Sequence, residues 1–203
     1  MSRLALGLAL IVATLLLGLI VHRAPPVLDL AIMQGFALRP NSAGWAVSSA
    51  QWVTRLGDPG VRPLLIVAFG VWLLARVSRR NSFVFALGSL AAIVSSTWLK
   101  EAYLRQRPHV VPWLDHPANY SFPSGHATSV MAILLLFALL GSGRWRVPLA
   151  LAVAAAVGVS RLLLGVHWPS DVLGGWLLGA GVALVACHLG QALGSGARPG
   201  RRR

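Results

Sequence analysis

Two uncharged stretches, Leu4 to Val21 and Ser82 to Leu99, are each long enough to cross a hydrocarbon layer of about 30 Å as one helix. A third, Ala127 to Gly143, is only slightly shorter. Few soluble folds accommodate three such segments in 203 residues. Composition agrees, since 56% of the residues are hydrophobic and 11% are charged, where a soluble domain carries about a quarter charged residues. Pro63 to Ala75, Val147 to Ser160 and Val172 to Cys187 are shorter between their polar limits. Flanking Arg, Trp and Ser side chains can snorkel or sit at the interface there. The expected fold class is all-α: a polytopic membrane protein of six transmembrane helices, with residues 1–203 forming a single membrane-embedded domain.

The first run follows Arg3 and invites comparison with a signal peptide. It exceeds the usual apolar core of such peptides, and no A-x-A pattern follows it, so it reads as a retained anchor. Charge then sets the orientation. With a cytoplasmic N-terminus, the inner segments hold Arg3, Arg76, Arg79, Arg80, Arg144 and Arg146, and a basic tail over 194–203 with Arg198, Arg201, Arg202 and Arg203. All five acidic residues, Asp29, Asp58, Glu101, Asp115 and Asp171, then fall at the outer face. The positive-inside rule favours this arrangement and predicts two cytoplasmic termini, and the expected location is the cell inner (plasma) membrane with the site facing outside.

The net charge of +13 does not point to nucleic acid, because the basic residues lie in short loops and not on one soluble domain. Topology and anionic lipid account for them. The lone Cys187 lies in an apolar span, which leaves neither a disulfide nor a thiolate metal site and reads as packing. In the outer loop over 24–61, Asn41 or Ser42 is placed to cap a helix bearing Trp45, Trp52, Val53 and Leu56, ending at Gly57-Asp58-Pro59-Gly60. An interfacial helix and an ordered connector with two interface tryptophans both fit this pattern.

Three polar clusters on the outer side carry the chemistry. In KEAYLRQRP, Lys100 ends a span and Arg107-Pro108 follows. PSGH runs from Pro123 to His126, and SRLLLGVHWPSD holds Ser160-Arg161, His167 and Asp171. Lys100 and Arg107 could simply snorkel. Arg161, close to the end of a span, needs a polar cavity or a partner, and an anion is the natural one. Ser124 and Gly125 at a helix start would offer free backbone N–H groups and the positive end of the dipole to a phosphate oxygen. His126 stands next to that position, able to pass a proton to a leaving oxygen. His167 and Asp171 are spaced i, i+4, so the carboxylate can fix one ring nitrogen and free the other to attack.

In order and spacing these clusters resemble the type 2 phosphatidic acid phosphatase family, whose pattern is K-x6-RP, then PSGH, then SR-x5-H-x3-D. Lys100, Arg107, Pro108, Pro123, Ser124, Gly125, His126, Ser160, Arg161, His167 and Asp171 match it position by position. The resemblance implies a helical bundle shared with haloperoxidases and a phosphatase that needs no metal or other cofactor. By analogy Lys100, Arg107, Ser124, Gly125 and Arg161 bind the phosphate. His167 attacks phosphorus, Asp171 orients it, and His126 protonates the leaving group. The residues themselves fit such chemistry, because phosphoryl transfer needs positioning and charge neutralisation above all. There is no carboxylate cluster for Mg²⁺, and His109 and His116 read as loop or entrance residues.

A vanadium haloperoxidase is a rival within the superfamily, but those enzymes are larger and soluble. A phosphotransferase using the same phosphohistidine remains open, as does a small transporter or assembly subunit. The expected partners are membrane lipids and a lipid phosphate substrate, with no nucleic acid; the sequence leaves the oligomeric state open. Undecaprenyl diphosphate ranks first, phosphatidate or phosphatidylglycerol phosphate next, and lipid A phosphate third. The loop from His109 to Tyr120 looks too short to cap a large polar headgroup.

Overall fold

The computed structural model describes residues 2–117, 119–143 and 145–195. Its helices are α1 (Arg3–Val21), α2 (Val27–Phe36), α3 (Gly44–Thr54), α4 (Val61–Arg76), α5 (Arg79–Tyr103), α6 (Gly125–Leu140), α7 (Arg146–Leu163) and α8 (Pro169–Ser195). A 3₁₀ turn over Arg55–Gly57 extends α3. Local chemistry explains several boundaries. The Ser2 and Ser78 hydroxyls accept the Ala5 and Asn81 N–H groups and cap α1 and α5. Pro169, which has no N–H to lose, opens α8. Helix α5 stops at Leu104, held in the left-handed conformation at φ 51°.

Among the described residues four helices, α1, α5, α7 and α8, are long and apolar enough to cross a membrane. A fifth appears if α3 with its 3₁₀ turn and α4, bent by 56°, count as one broken span. The expectation of six is therefore not met by length alone, since α4 and α6 hold 16 residues each. Helix α6 is the hub of the bundle. Eleven of its residues are buried, and Val130, Ile133 and Leu136 join Leu73, Phe85, Val157 and Cys187 in one core cluster. The thiol is thus packing, as its apolar neighbours require. The outer surfaces of α1, α4 and α5 expose Leu16, Leu19, Leu64, Val67, Leu87 and Trp98, which suits hydrocarbon and not water.

The helix directions bring the C-terminal ends of α5 and α7 to the same end of the bundle as the N-terminal ends of α4, α6 and α8. Arg3, Arg76, Arg79, Arg80 and Arg146 lie at or beside the opposite helix ends. Arg144 and the four tail arginines lie outside the described residues.

The loop helix forms, but not as its sequence implied. Ala43, and not Asn41 or Ser42, precedes α3, and no side chain caps it. The Ser42 hydroxyl is engaged elsewhere, accepting the Arg39 N–H at 2.9 Å. Trp45 and Trp52 are exposed, with the Arg55 guanidinium 3.8 Å over the Trp52 ring, whereas Val53 packs on the core. Helix α2 carries no strong sequence signal, and it proves to matter through Asp29.

Candidate active site

All three motifs converge at one end of the bundle. A cavity of about 290 Å³ is lined by Lys100, Arg107, Gly125, His126, Arg161 and His167 together with Asp58, Arg62, Asp115, His116 and Asn119. Lys100, near the end of α5, donates from Nζ to the Tyr120 carbonyl and lies 3.5 Å from that of Ser121. Arg107 is clamped by the loop that follows: Nε reaches the Asn119 carbonyl at 2.7 Å, and Nη1 reaches the Val166 carbonyl at 2.7 Å. Arg161, on the last turns of α7, donates to Asp115 Oδ2 at 2.6 Å and Thr54 Oγ1 at 2.7 Å. The anionic partner expected for Arg161 is thus present within the chain.

His167 is buried between a donor and an acceptor. Arg107 Nη1 lies 3.0 Å from Nε2, and Asp171 Oδ2 lies 3.3 Å from Nδ1. An arginine can only donate, so Nε2 holds the lone pair and the tautomer assigned by these partners carries its proton on Nδ1. Burial first, then the charges of Arg107, Lys100, Arg161 and His126, push the His167 ring well below its ordinary value. Burial and Arg161 likewise bring Arg107 down to about 10. Asp171 Oδ2 serves two neighbours besides the ring. It accepts the Trp168 backbone N–H at 2.8 Å, reaching back to the start of α8 as in a capping box, and it accepts the Ser121 hydroxyl.

Behind Asp171 lies a network that the motifs do not contain. Arg105 Nη1 donates to Asp171 Oδ1 at 2.6 Å, and Nη2 donates to Asp29 Oδ2 at 2.8 Å. Asp29, from α2, also accepts the Ser170 N–H at 3.0 Å and so caps α8 from another helix. All three charged groups are buried. The sequence reading singled out neither Arg105 nor a role for Asp29, although the alternating R-Q-R of residues 105–107 was a signal.

The PSGH segment behaves partly as its sequence implied. Ser124 precedes α6, and Gly125 is its first residue. The Ser124 N–H, however, is not free, because it donates to the Asp171 carbonyl at 2.9 Å and ties the start of α6 to α8. What Ser124 offers is its hydroxyl. Among the described residues, Ser124 Oγ and Arg161 Nε are buried without a hydrogen-bond partner, a state that native interiors rarely leave unexplained.

His126 has an unforeseen partner. Its Nε2 lies 3.0 Å from Asp58 Oδ1. The contact depends on Gly57: a Cβ there would sit 2.5 Å from the His126 ring. Burial, followed by the nearby Asp115, raises Asp58 above its usual value. For Asp115 burial also raises the value, but Arg161 overrides it and holds the carboxyl below the usual range. The loop after α5 lines the cavity with Asp115, His116 and Asn119. His109 instead stacks on Trp113 at 5.0 Å. No group of three or more His, Cys, Asp or Glu residues stands together to hold a metal ion among the described residues.

The profile of the PAP2 superfamily matches residues 81–195, more than half of the chain and all three motifs. The chain belongs to the PAP2 superfamily. A provisionally named undecaprenyl-diphosphatase of Escherichia coli (strain K12) is 33% identical over 172 residues, covering 82% of this chain and 85% of that protein. A decaprenylphosphoryl-5-phosphoribose phosphatase of Mycobacterium tuberculosis (strain ATCC 25618 / H37Rv) is 33% identical over 161 residues, covering 77% and 85%. The crystal structure of a PAP2-type phosphatidylglycerolphosphate phosphatase from Bacillus subtilis superposes with a TM-score of 0.78 at 25% identity, over 97% of this chain and 98% of that one. This PAP2 chain is accordingly a membrane enzyme of the lipid phosphatase class. Asp29, Thr54, Asp58 and Arg62, which complete the site, lie outside the matched PAP2 region.

Proposed function

We propose that this protein hydrolyses a lipid phosphate or diphosphate without a metal, through a phosphohistidine on His167 at the outer membrane face. The observation that carries this reading is the convergence of Lys100, Arg107, Arg161, Gly125, His126 and His167 on one cavity. Three cations and a helix N-terminus supply what a phosphoryl group needs, and the unpartnered Ser124 Oγ and Arg161 Nε are donors left for its oxygens. On binding, Arg107 transfers its N–H from His167 Nε2 to the phosphoryl oxygens and frees that lone pair. Nε2 then attacks phosphorus, with Asp171 holding the Nδ1 proton, while the bond to the leaving oxygen breaks and protonated His126 supplies its proton. Water next attacks the phosphohistidine, gives a proton to His126 and releases phosphate. Asp58 holds the His126 ring between the two steps.

Within this reading undecaprenyl diphosphate is the first-ranked substrate, phosphatidate and phosphatidylglycerol phosphate the next, and lipid A phosphate the third. The names of the Escherichia coli and Mycobacterium tuberculosis relatives support the polyprenyl class. The test is phosphate release from each lipid, and from glucose 6-phosphate, in mixed micelles containing EDTA, with His167→Ala as the blank. Undiminished turnover in EDTA and a higher kcat/KM for a lipid are expected. Activity that disappears in EDTA and returns with Mg²⁺, or a preference for the sugar phosphate, would sink the proposal.

The same reading takes α4 and α6 as spans completed by their flanking residues, giving six, with both termini cytoplasmic in the inner (plasma) membrane. Support comes from Arg3, Arg76, Arg79, Arg80 and Arg146 sharing the end of the bundle opposite the cavity. Reporter fusions after Arg80 and Arg146 should report cytoplasm, and a fusion after Pro117 the outside. A cytoplasmic signal at Pro117 would reverse the site's placement.

A further inference from the structure

Arg62 stands on the first turn of α4, outside the three motifs and outside the region that the PAP2 profile matches. It nevertheless lines the cavity that holds Lys100, Arg107 and Arg161. Its Nε donates to the Gly57 carbonyl at 2.6 Å, which fixes the guanidinium at its inner end. Neither Nη1 nor Nη2 makes a hydrogen bond to a described residue. The point where a Cβ would stand on Gly125 is 3.7 Å from Arg62 Nη2 and 3.7 Å from Lys100 Cε. Arg62 and Lys100 therefore both border the start of α6. Gly57, which Arg62 holds, is also the residue against which the His126 ring packs. The guanidinium is thus held through Nε at Gly57, which the His126 ring packs against, while Nη2 stands near Gly125, the residue before His126.

We propose that Arg62 is the ligand for the second phosphate of a diphosphate substrate. The inference rests on the reading above, in which His167 attacks and His126 faces the leaving oxygen. Displacement at phosphorus is roughly in line, so the leaving group extends from the transferred phosphoryl on the side away from the nucleophile. In a phosphate monoester that oxygen bears carbon and needs only a proton. In a diphosphate it bears a second phosphate, whose oxygens need charge compensation of their own. Lys100, Arg107 and Arg161 belong to the transferred group. Among the described cations of the cavity Arg62 alone sits outside the motif set, with two nitrogens unpaired with any described residue in the planar fork that binds phosphate bidentately. It selects for diphosphates by stabilising the departing lipid monophosphate.

The experiment compares wild type, Arg62→Gln and Arg62→Lys in two assays. The first is the ratio of kcat/KM for an isoprenyl diphosphate to that for the monophosphate of the same tail, in mixed micelles. Removing a charge-assisted hydrogen bond is expected to lower this ratio by about 10- to 100-fold in Arg62→Gln. Arg62→Lys, a point charge without the fork, should fall between the two. The second assay is the thermal shift produced by inorganic pyrophosphate and by inorganic phosphate. It requires neither turnover nor any particular lipid, and it is decisive where the two disagree. Arg62→Gln is expected to weaken pyrophosphate about tenfold or more beyond any change for phosphate. Equal losses for both anions, or none, overturn the inference while leaving the proposed hydrolysis intact. A wild type that hydrolyses no lipid phosphate, but loses its pyrophosphate preference in Arg62→Gln, removes the proposed function and leaves the Arg62 site standing.

Discussion

Replacing His167 by alanine is expected to lower kcat by at least about 10,000-fold, the scale seen when a nucleophile is deleted from an enzyme whose other groups remain. The fold should survive, because the ring's partners Arg107, Ser121 and Asp171 each keep other hydrogen bonds. Rapid quenching of the wild type with a good-leaving-group substrate should trap an acid-labile, base-stable phosphoenzyme that His167→Ala lacks. The pH profile gives a second reading. With the His167 value pushed well below 6.5 by burial and by Arg107, the neutral nucleophile persists as pH falls through 6.5, so the acid limb of kcat/KM due to this ring lies lower. In stability the sign is opposite to that of a paired histidine. The unfolded chain binds the proton more readily, so this ring lowers folding stability as pH drops below 6.5. Full turnover in His167→Ala would end the phosphohistidine mechanism.

Arg105→Ala should be the most damaging substitution outside the motifs. The side chain is buried between two buried carboxylates, Asp29 and Asp171, and truncating it leaves both uncompensated. Breaking such a pair costs about 3–5 kcal/mol, visible as a large fall in melting temperature in detergent. Asp171 would also lose one of the groups that aim it, so kcat should drop while KM changes little. Arg105→Lys separates the two effects, since an ammonium reaches one carboxylate but lacks the fork that joins both. It should recover part of the stability and less of the turnover. Wild-type melting in Arg105→Ala would show that the network contributes nothing to the fold.

The residues that contact one another through short spacing were legible in the chain, and those that meet across it were not. His167 and Asp171 are one helical turn apart, and Gly125 follows Ser124 at a helix start, so periodicity and dipole arguments reach them directly. Asp58 meets His126 from 68 positions away, Asp29 meets Arg105 from 76, and Thr54 meets Arg161 from 107. Each belongs to the stretch before α5, where the apolar pattern specifies helices but no local signal says which polar group faces the bundle. The apolar runs count six spans where helix length alone gives four or five among the described residues, for a related reason. Helix α6 is apolar because other helices surround it, and composition cannot distinguish burial against protein from burial in lipid.

The burial of α6 has a mechanical consequence. At a rise of about 1.5 Å per residue it is about 24 Å long, less than a typical hydrocarbon layer. Enclosed by α4, α5, α7 and α8, it has no need to match that layer. The exposed surfaces of α1, α4 and α5 meet the lipid instead, and mismatch with a thinner or thicker bilayer is absorbed by their tilt. Ser124 and Gly125 are referenced to Asp171 on α8 through a backbone hydrogen bond, so the anion-binding geometry is set by protein and is insulated from acyl-chain length. Bilayer thickness then governs how readily a lipid headgroup reaches the cavity, and a change of host lipid appears in KM before it appears in kcat.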